Sequence, residues 1–259
     1  MTEPIIRFDN VCKRFTDKAG RELPAYAVKD LSFEVASGEV IAVVGRTGCG
    51  KSTMFNLLTG LLEPTSGGVR VYERDPFHDF DWFRGKIAVV FQSDRLLPWR
   101  TALHNVSYGL ELNHREERER LAVARDWLRR LGLEGYEDAY PHALSGGMRQ
   151  RVSIARAFAV NAEILLCDEP FSALDELTGA KLRAEFVRLV RENRKTSIFI
   201  THSIDEALTL GERILVFQPP AFIALEACPG EATTEAARAA MKDAILTAMT
   251  AGAPDTVAS

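Results

Sequence analysis

Val40-Ile41-Ala42-Val43-Val44-Gly45-Arg46-Thr47-Gly48-Cys49-Gly50-Lys51-Ser52 decides the fold. Its first part, Val40 to Val44, is continuously apolar, as a strand buried on both faces requires. Gly45 to Ser52 then fits the pattern G-x-x-x-x-G-K-[ST], and Phe55, Leu58 and Leu61 continue at helical spacing. In that strand, loop, helix context the glycines let backbone N–H groups turn inward as an anion nest, and the following helix N-terminus adds the positive end of its dipole. Gly45, Gly48, Cys49, Gly50, Lys51, Ser52 and Thr53 are therefore candidate phosphate-binding residues. Lys51 is expected to reach the β and γ phosphates, and the Ser52 hydroxyl to ligate Mg²⁺.

Four further runs share the apolar character of Val40 to Val44: Ile87 to Phe91, Ile164 to Cys167, Ile198 to Ile200 and Ile214 to Phe217. Such runs predict parallel strands separated by helices. Ile5 to Phe8, Leu31 to Val35 and Val69 to Tyr72 predict a small antiparallel sheet, the second of them alternating apolar with polar residues. Residues 93–150 read as mostly helical, with Leu121, Ala124, Leu128 and Leu131 forming one apolar stripe. From about Pro219 the composition shifts to Ala and Thr. Ala237, Met241, Ala244 and Ala248 can line a weak helical face, and a loosely ordered tail fits that composition equally well.

Ile164 to Cys167 runs into Asp168 and Glu169, two carboxylates at a strand end. Beside a phosphate loop, Asp168 suits the Mg²⁺ shell and Glu169 suits polarising an attacking water. Leu144-Ser145-Gly146-Gly147-Met148-Arg149-Gln150-Arg151 places a capping serine and two glycines before a helix through Val152 and Ile154, a second anion site in one chain.

That last string resembles the signature motif of ATP-binding cassette (ABC) ATPases, and the resemblance extends to about residue 218 with the other motifs in family order. It implies an α/β phosphate-loop nucleoside triphosphatase (ABC ATPase) with a parallel-sheet core, an N-terminal antiparallel β subdomain and an inserted helical subdomain at about 93–150. An ATPase domain over 1–218 and an Ala-rich tail over 219–259 follow from it. By resemblance, Phe15 stacks on adenine and Gln92 senses Mg²⁺ and the attacking water. Ser172-Ala173-Leu174-Asp175 forms the D-loop, and His202 contacts the γ phosphate. The implied catalytic set is Lys51, Gln92, Glu169 and His202, the implied Mg²⁺ set Ser52, Gln92 and Asp168, and the implied cofactors ATP and Mg²⁺. The family works as a head-to-tail homodimer in which Ser145, Gly146 and Gly147 of one subunit close over ATP held by the other.

Leu96-Leu97-Pro98-Trp99-Arg100-Thr101 looks like the importers of the nitrate, sulfonate, taurine and bicarbonate group, which implies a transmembrane permease docked near Leu97 and Trp99 and a separate solute-binding protein. Two features depart from that group. Ser203 stands where its members usually carry Asp, and Gln218-Pro219-Pro220-Ala221 does not follow their usual continuation.

The 259 residues carry 32 Lys and Arg against 36 Asp and Glu, a net charge of −4, which gives no support to a nucleic-acid partner. No apolar run is long enough to span a membrane, and MTEPIIRFDN has no basic region followed by an apolar one. The chain is therefore expected on the cytoplasmic face of the cell membrane, held there by its permease. Cys12, Cys49, Cys167 and Cys228 lack CxxC spacing, and reduced, packed thiols are expected. The alternatives are a cytosolic, non-transport ABC protein, against which stands the want of a long coiled coil, zinc cysteines or a second cassette, and a kinase or GTP switch. The latter leaves the signature string unexplained and lacks an Asn-Lys-x-Asp guanine reader.

Overall fold

The computed structural model describes residues 4–172, 174 and 176–251. Ala173 and Asp175 of the expected D-loop lie outside the described residues. The chain divides into two compact units, one formed by the N-terminal residues up to Phe80 together with those from Ile198, the other by Asp81–Ser197.

In the first unit β1 (Pro4–Thr16) pairs antiparallel with β2 (Glu22–Ala36) and with β4 (Ser66–Val71), in the order β2-β1-β4. Phe8 faces Phe33 on one neighbour and Val69 on the other, and the two phenyl rings stack at 4.6 Å. β1 is longer than the apolar run Ile5 to Phe8 because its pairing with β2 continues through repeated register shifts. Asn10 and Asp30 take positive φ, 46° and 50°, and the register shifts between Phe8 and Val11 before pairing resumes.

β3 (Val40–Gly45) is buried along its whole length and lies parallel to β8 (Arg213–Gln218), from Ile41 opposite Arg213 to Gly45 opposite Phe217. α1 (Lys51–Leu58) follows the phosphate loop and buries Met54, Phe55, Leu57 and Leu58. Leu61, expected on the same helix, lies past its end and is 60% exposed, because the chain turns at Gly60 with φ +71°.

The described part of the Ala-rich stretch, for which a weak helical face or a loosely ordered tail is expected, forms a strand and a helix. β9 (Phe222–Ala227) pairs antiparallel with β8, and α7 (Glu235–Thr250) covers the cluster Ala42, Val44, Ala207, Leu208, Ile214 and Val216. The seated face of α7 is Met241, Ile245, Ala248 and Met249, whereas Ala237 and Ala244 are exposed. Between β8 and α7, the Gln218 amide donates to the carbonyls of Ala248 and Ala251, among the orphan acceptors at a helix C-terminus.

The second unit contains β5 (Ile87–Val90) parallel to β6 (Ile164–Asp168), followed and flanked by α2 (Ala102–Leu112), α3 (Glu117–Arg130), α4 (Gly146–Ala159) and α5 (Glu176–Glu192). The helical segment thus starts later than residue 93 and runs past residue 150. Thr101 sets its start by capping α2, its side chain accepting from His104 N. Ala124, Leu128 and Leu131 of the expected stripe are buried, and Trp127 joins them, tilted against Phe158 at 5.0 Å. α3 carries Glu117 and Glu119 in its first turn and Arg129 and Arg130 in its last, the order its dipole favours. β7 (Thr196–Thr201) carries the chain from the second unit back into the first. α6 (Ile204–Leu210) follows it.

Candidate active site

In the first unit the glycines of the phosphate loop are held by backbone conformation or by close approach. Gly48 and Gly50 hold φ +81° and +101°, and a Cβ on Gly50 would sit 2.5 Å from both Ala27 O and Ala221 Cβ. A Cβ on Gly45 would lie 2.6 Å from Cys49 Sγ and from Phe217 O. Gly50 is the N-cap of α1 and supplies no side-chain cap, which leaves the first-turn N–H groups of Lys51, Ser52 and Thr53 for an anion.

Lys51 is only 7% exposed, and its Nζ donates to Gly45 O at 2.6 Å and Arg46 O at 3.1 Å. The same ammonium stands 3.9 Å from Cys49 Sγ. Burial pushes the Cys49 thiol above its ordinary pKa, and the Lys51 charge offsets only part of that. Behind the loop, Ala221 N donates to Cys49 O at 2.9 Å and Lys29 N donates to Pro220 O at 3.1 Å. The Gln218 to Ala221 turn, which departs from the importer group, is therefore a backing for the phosphate loop.

Phe15, at the end of β1, is 42% exposed with Lys13 Nζ 5.9 Å from its ring centre, so one aromatic surface is available for stacking. His202 is exposed in the two-residue link from β7 to α6. A relay of hydrogen bonds fixes that link. Glu206 N donates to Ser203 Oγ at 3.2 Å, Ser203 N to Thr201 Oγ1 at 3.0 Å, and Thr201 Oγ1 to Glu206 Oε2 at 2.6 Å. Ser203 thus caps α6, a task for which serine and aspartate are nearly equivalent, and the departure from Asp keeps the turn.

In the second unit Asp168 ends β6 and Glu169 follows with φ +46°, a left-handed conformation costing a non-glycine residue about 1–3 kcal/mol. Ser172 holds that turn, its N and Oγ donating to Glu169 O at 3.3 and 3.0 Å. Gln92 is exposed two residues after β5. Ser145 caps α4 by accepting from Met148 N at 3.3 Å, with Gly146 and Gly147 in the first turn. The site residues therefore divide, with Phe15, the phosphate loop and His202 in the first unit and Gln92, Ser145 to Gly147, Asp168 and Glu169 in the second.

Sequence reasoning passed over Asn105, which is wholly buried in α2. Its Oδ1 accepts from Leu97 N at 2.8 Å, and its Nδ2 is within 3.0–3.1 Å of the carbonyls of Leu97, Arg100 and Thr101. This amide organises the Leu-Leu-Pro-Trp turn and leaves Trp99 71% exposed. An Asn set among Ala102, Leu103, Val106 and Leu110 at helical spacing was the available signal.

The family model described as "ABC transporter" matches residues 28–172. The chain belongs to the ABC transporter family. This ABC ATPase is 42% identical over 214 residues to the uncharacterized ABC transporter ATP-binding protein MJ0412 of Methanocaldococcus jannaschii, covering 82% of this chain and 76% of that protein. It is 44% identical over 211 residues to the glycine betaine/proline betaine transport ATP-binding protein ProV of Salmonella typhimurium, covering 80% of this chain but only 52% of that longer protein. To the taurine import ATP-binding protein TauB of Rhizobium johnstonii it is 41% identical over 218 residues, covering 83% and 80%. Among solved structures, the dimeric post-hydrolysis state of the ATP-binding cassette MJ0796 bound to ADP and Pi superposes with a TM-score of 0.75 at 34% identity, covering 86% of this chain and 98% of that one. The fold is that of an α/β phosphate-loop ATPase with a mixed, mainly parallel sheet, as the motifs imply.

Proposed function

We propose that this ABC ATPase is the energy-coupling subunit of an importer for a small anion or small polar organic solute. It works as a head-to-tail homodimer on the cytoplasmic face of the cell membrane, with a transmembrane permease and a separate solute-binding protein. The single observation that carries the reading is the pairing in one chain of two glycine-flanked helix starts suited to anions, the phosphate loop before α1 and the Ser145 cap of α4. The betaine and taurine relatives, at 44% and 41% identity, bear different solute names, as expected for a subunit that never touches its cargo. Trp99 and Leu97 on the turn organised by Asn105 supply the permease contact, and no helix among the described residues is long and apolar enough to cross a membrane.

In this reading Phe15 stacks on the adenine, the N–H groups around Gly48 to Thr53 hold the phosphates, and Lys51 offsets their charge. Ser52, Gln92 and Asp168 offer the hard oxygen donors that Mg²⁺ prefers, with Ser52 exposed at the start of α1 and Asp168 half-buried at the end of β6. When bound, Mg²⁺ neutralises phosphate charge. Glu169 polarises the attacking water, His202 hydrogen-bonds the γ phosphate, and Ser145, Gly146 and Gly147 of the second subunit close the site. ATP then holds the dimer shut and hydrolysis releases it, which is the bistable element that drives the permease.

The test is Glu169→Gln. The variant should retain ATP, hydrolyse it about 10²-fold more slowly, and run as a dimer with ATP and Mg²⁺ in size exclusion with light scattering. A monomer under those conditions would count against the proposal.

A further inference from the structure

Among the polar side chains of α4, three that phosphate binding leaves unused reach the segment around Gln92. Arg149 Nε donates to Asp94 Oδ2 at 2.9 Å and its Nη1 to Leu144 O at 2.8 Å. Gln150 is only 3% exposed, and its Nε2 donates to Pro170 O at 2.6 Å and to Phe91 O at 3.4 Å. Two turns after Arg149, Arg156 donates to Asp94 O and Arg95 O, both at 2.8 Å. Burial pulls the Arg156 guanidinium below its ordinary pKa, with the Asp94 charge opposing that shift.

These partners are not scattered. Phe91, Asp94 and Arg95 bracket Gln92, Pro170 follows Glu169, and Leu144 precedes Ser145. Arg95 also lies over the Phe91 ring, 3.7 Å from its centre, so the loop closes on itself. A guanidinium and a buried amide are costly to remove from water, and here their donors meet main-chain carbonyls at the edges of three site segments. Fully satisfied networks of this kind make the joined segments rigid with respect to one another.

We propose that Asp94, Arg149, Gln150 and Arg156 are positioning residues that clamp the Gln92 loop to the helix capped by Ser145, so that the two move as one body. The clamp rests on the roles proposed above for Gln92, Glu169 and Ser145. It makes the docking of Ser145 on a nucleotide and the setting of Gln92 one event. Loosening it spares nucleotide binding and dimer closure but misplaces Gln92 at the moment of hydrolysis.

The experiment uses Asp94→Ala and Arg149→Ala in the full chain. The readouts are turnover against ATP concentration, ATP-driven dimerisation in a Glu169→Gln background, and deuterium exchange over residues 91–95. The clamp predicts kcat lowered about 10-fold, KM for ATP unchanged, dimerisation unchanged and faster exchange in that loop. Asp94→Asn, which keeps an acceptor for Arg149 Nε, should recover most of the kcat. Arg149→Lys serves in the same comparison if Arg149→Ala does not fold. Wild-type kcat and exchange in these variants would overturn the clamp, and so would a loss of dimerisation in step with kcat. A parallel Gln92→Ala variant separates the two readings. Full turnover there would overturn the role of Gln92 itself, whereas a loss there beside unaffected Asp94 and Arg149 variants would overturn the clamp alone.

Discussion

Gly50 shows how little freedom the phosphate loop has. Its φ of +101° alone disfavours any side chain, and the space where a Cβ would go is already taken by Ala27 O and Ala221 Cβ. Gly50→Ala should therefore destabilise the chain by roughly 2–5 kcal/mol, the sum of a left-handed alanine and an overpacked contact. It should also abolish ATP binding, as read by urea unfolding and by fluorescent-nucleotide titration. A variant of near wild-type stability and affinity would mean that the loop does not hold this conformation. The need for glycine here was legible, because phosphate chemistry imposes it within eight consecutive residues, Gly45 to Ser52. Its neighbour Ala221 was not legible, since that contact depends on how a turn far along the chain closes over β3 and β8. Glu169 was found for its carboxylate, but no sequence pattern announced its left-handed backbone.

Among the elements, strands with strong apolar contrast were readable and those with weak contrast were not. Val40 to Val44 and Ile214 to Phe217 are buried on both faces and pair as parallel neighbours, as their composition demands. β9 alternates only between half-buried and exposed residues, and α7 is so rich in alanine that no one stripe stands out. Its seat was decided by Ile245, which is wholly buried, flanked by Met241, Ala248 and Met249. Ion pairs add orientation, with Lys242 Nζ 2.7 Å from Asp205 Oδ1 on α6, but both side chains are well exposed and the pair contributes little to stability. Burial carries the docking, so Ile245→Ala should cost about 2–5 kcal/mol in urea unfolding. A loss below about 0.5 kcal/mol, typical of a surface change, would show that α7 is not docked there.

At the scale of the whole molecule, the sequence pointed to the family through motifs that each serve one local chemistry, and the comparisons agree with that assignment. What the motifs do not spell out is the connection between them. Arg149, Gln150 and Arg156 sit within or just after the signature string, yet apart from Leu144 their partners lie at residues 91–95 and 170, joined only in three dimensions. The proposed assembly follows the same logic, since in it the Ser145 cap and the phosphate loop would each supply half of a nucleotide site.

Complementation between two inactive chains tests that claim most directly. Lys51→Ala removes the phosphate-loop cation, and Ser145→Arg fills the cap that, in the proposed homodimer, closes over the partner's nucleotide, so on that proposal neither homodimer has an intact site. A mixed dimer has one intact site and one doubly damaged site. Mixed dimers, isolated through two different tags, should hydrolyse ATP at a measurable fraction of the wild-type rate while each variant alone does not. Verified mixed dimers that neither hydrolyse nor retain ATP would contradict the account.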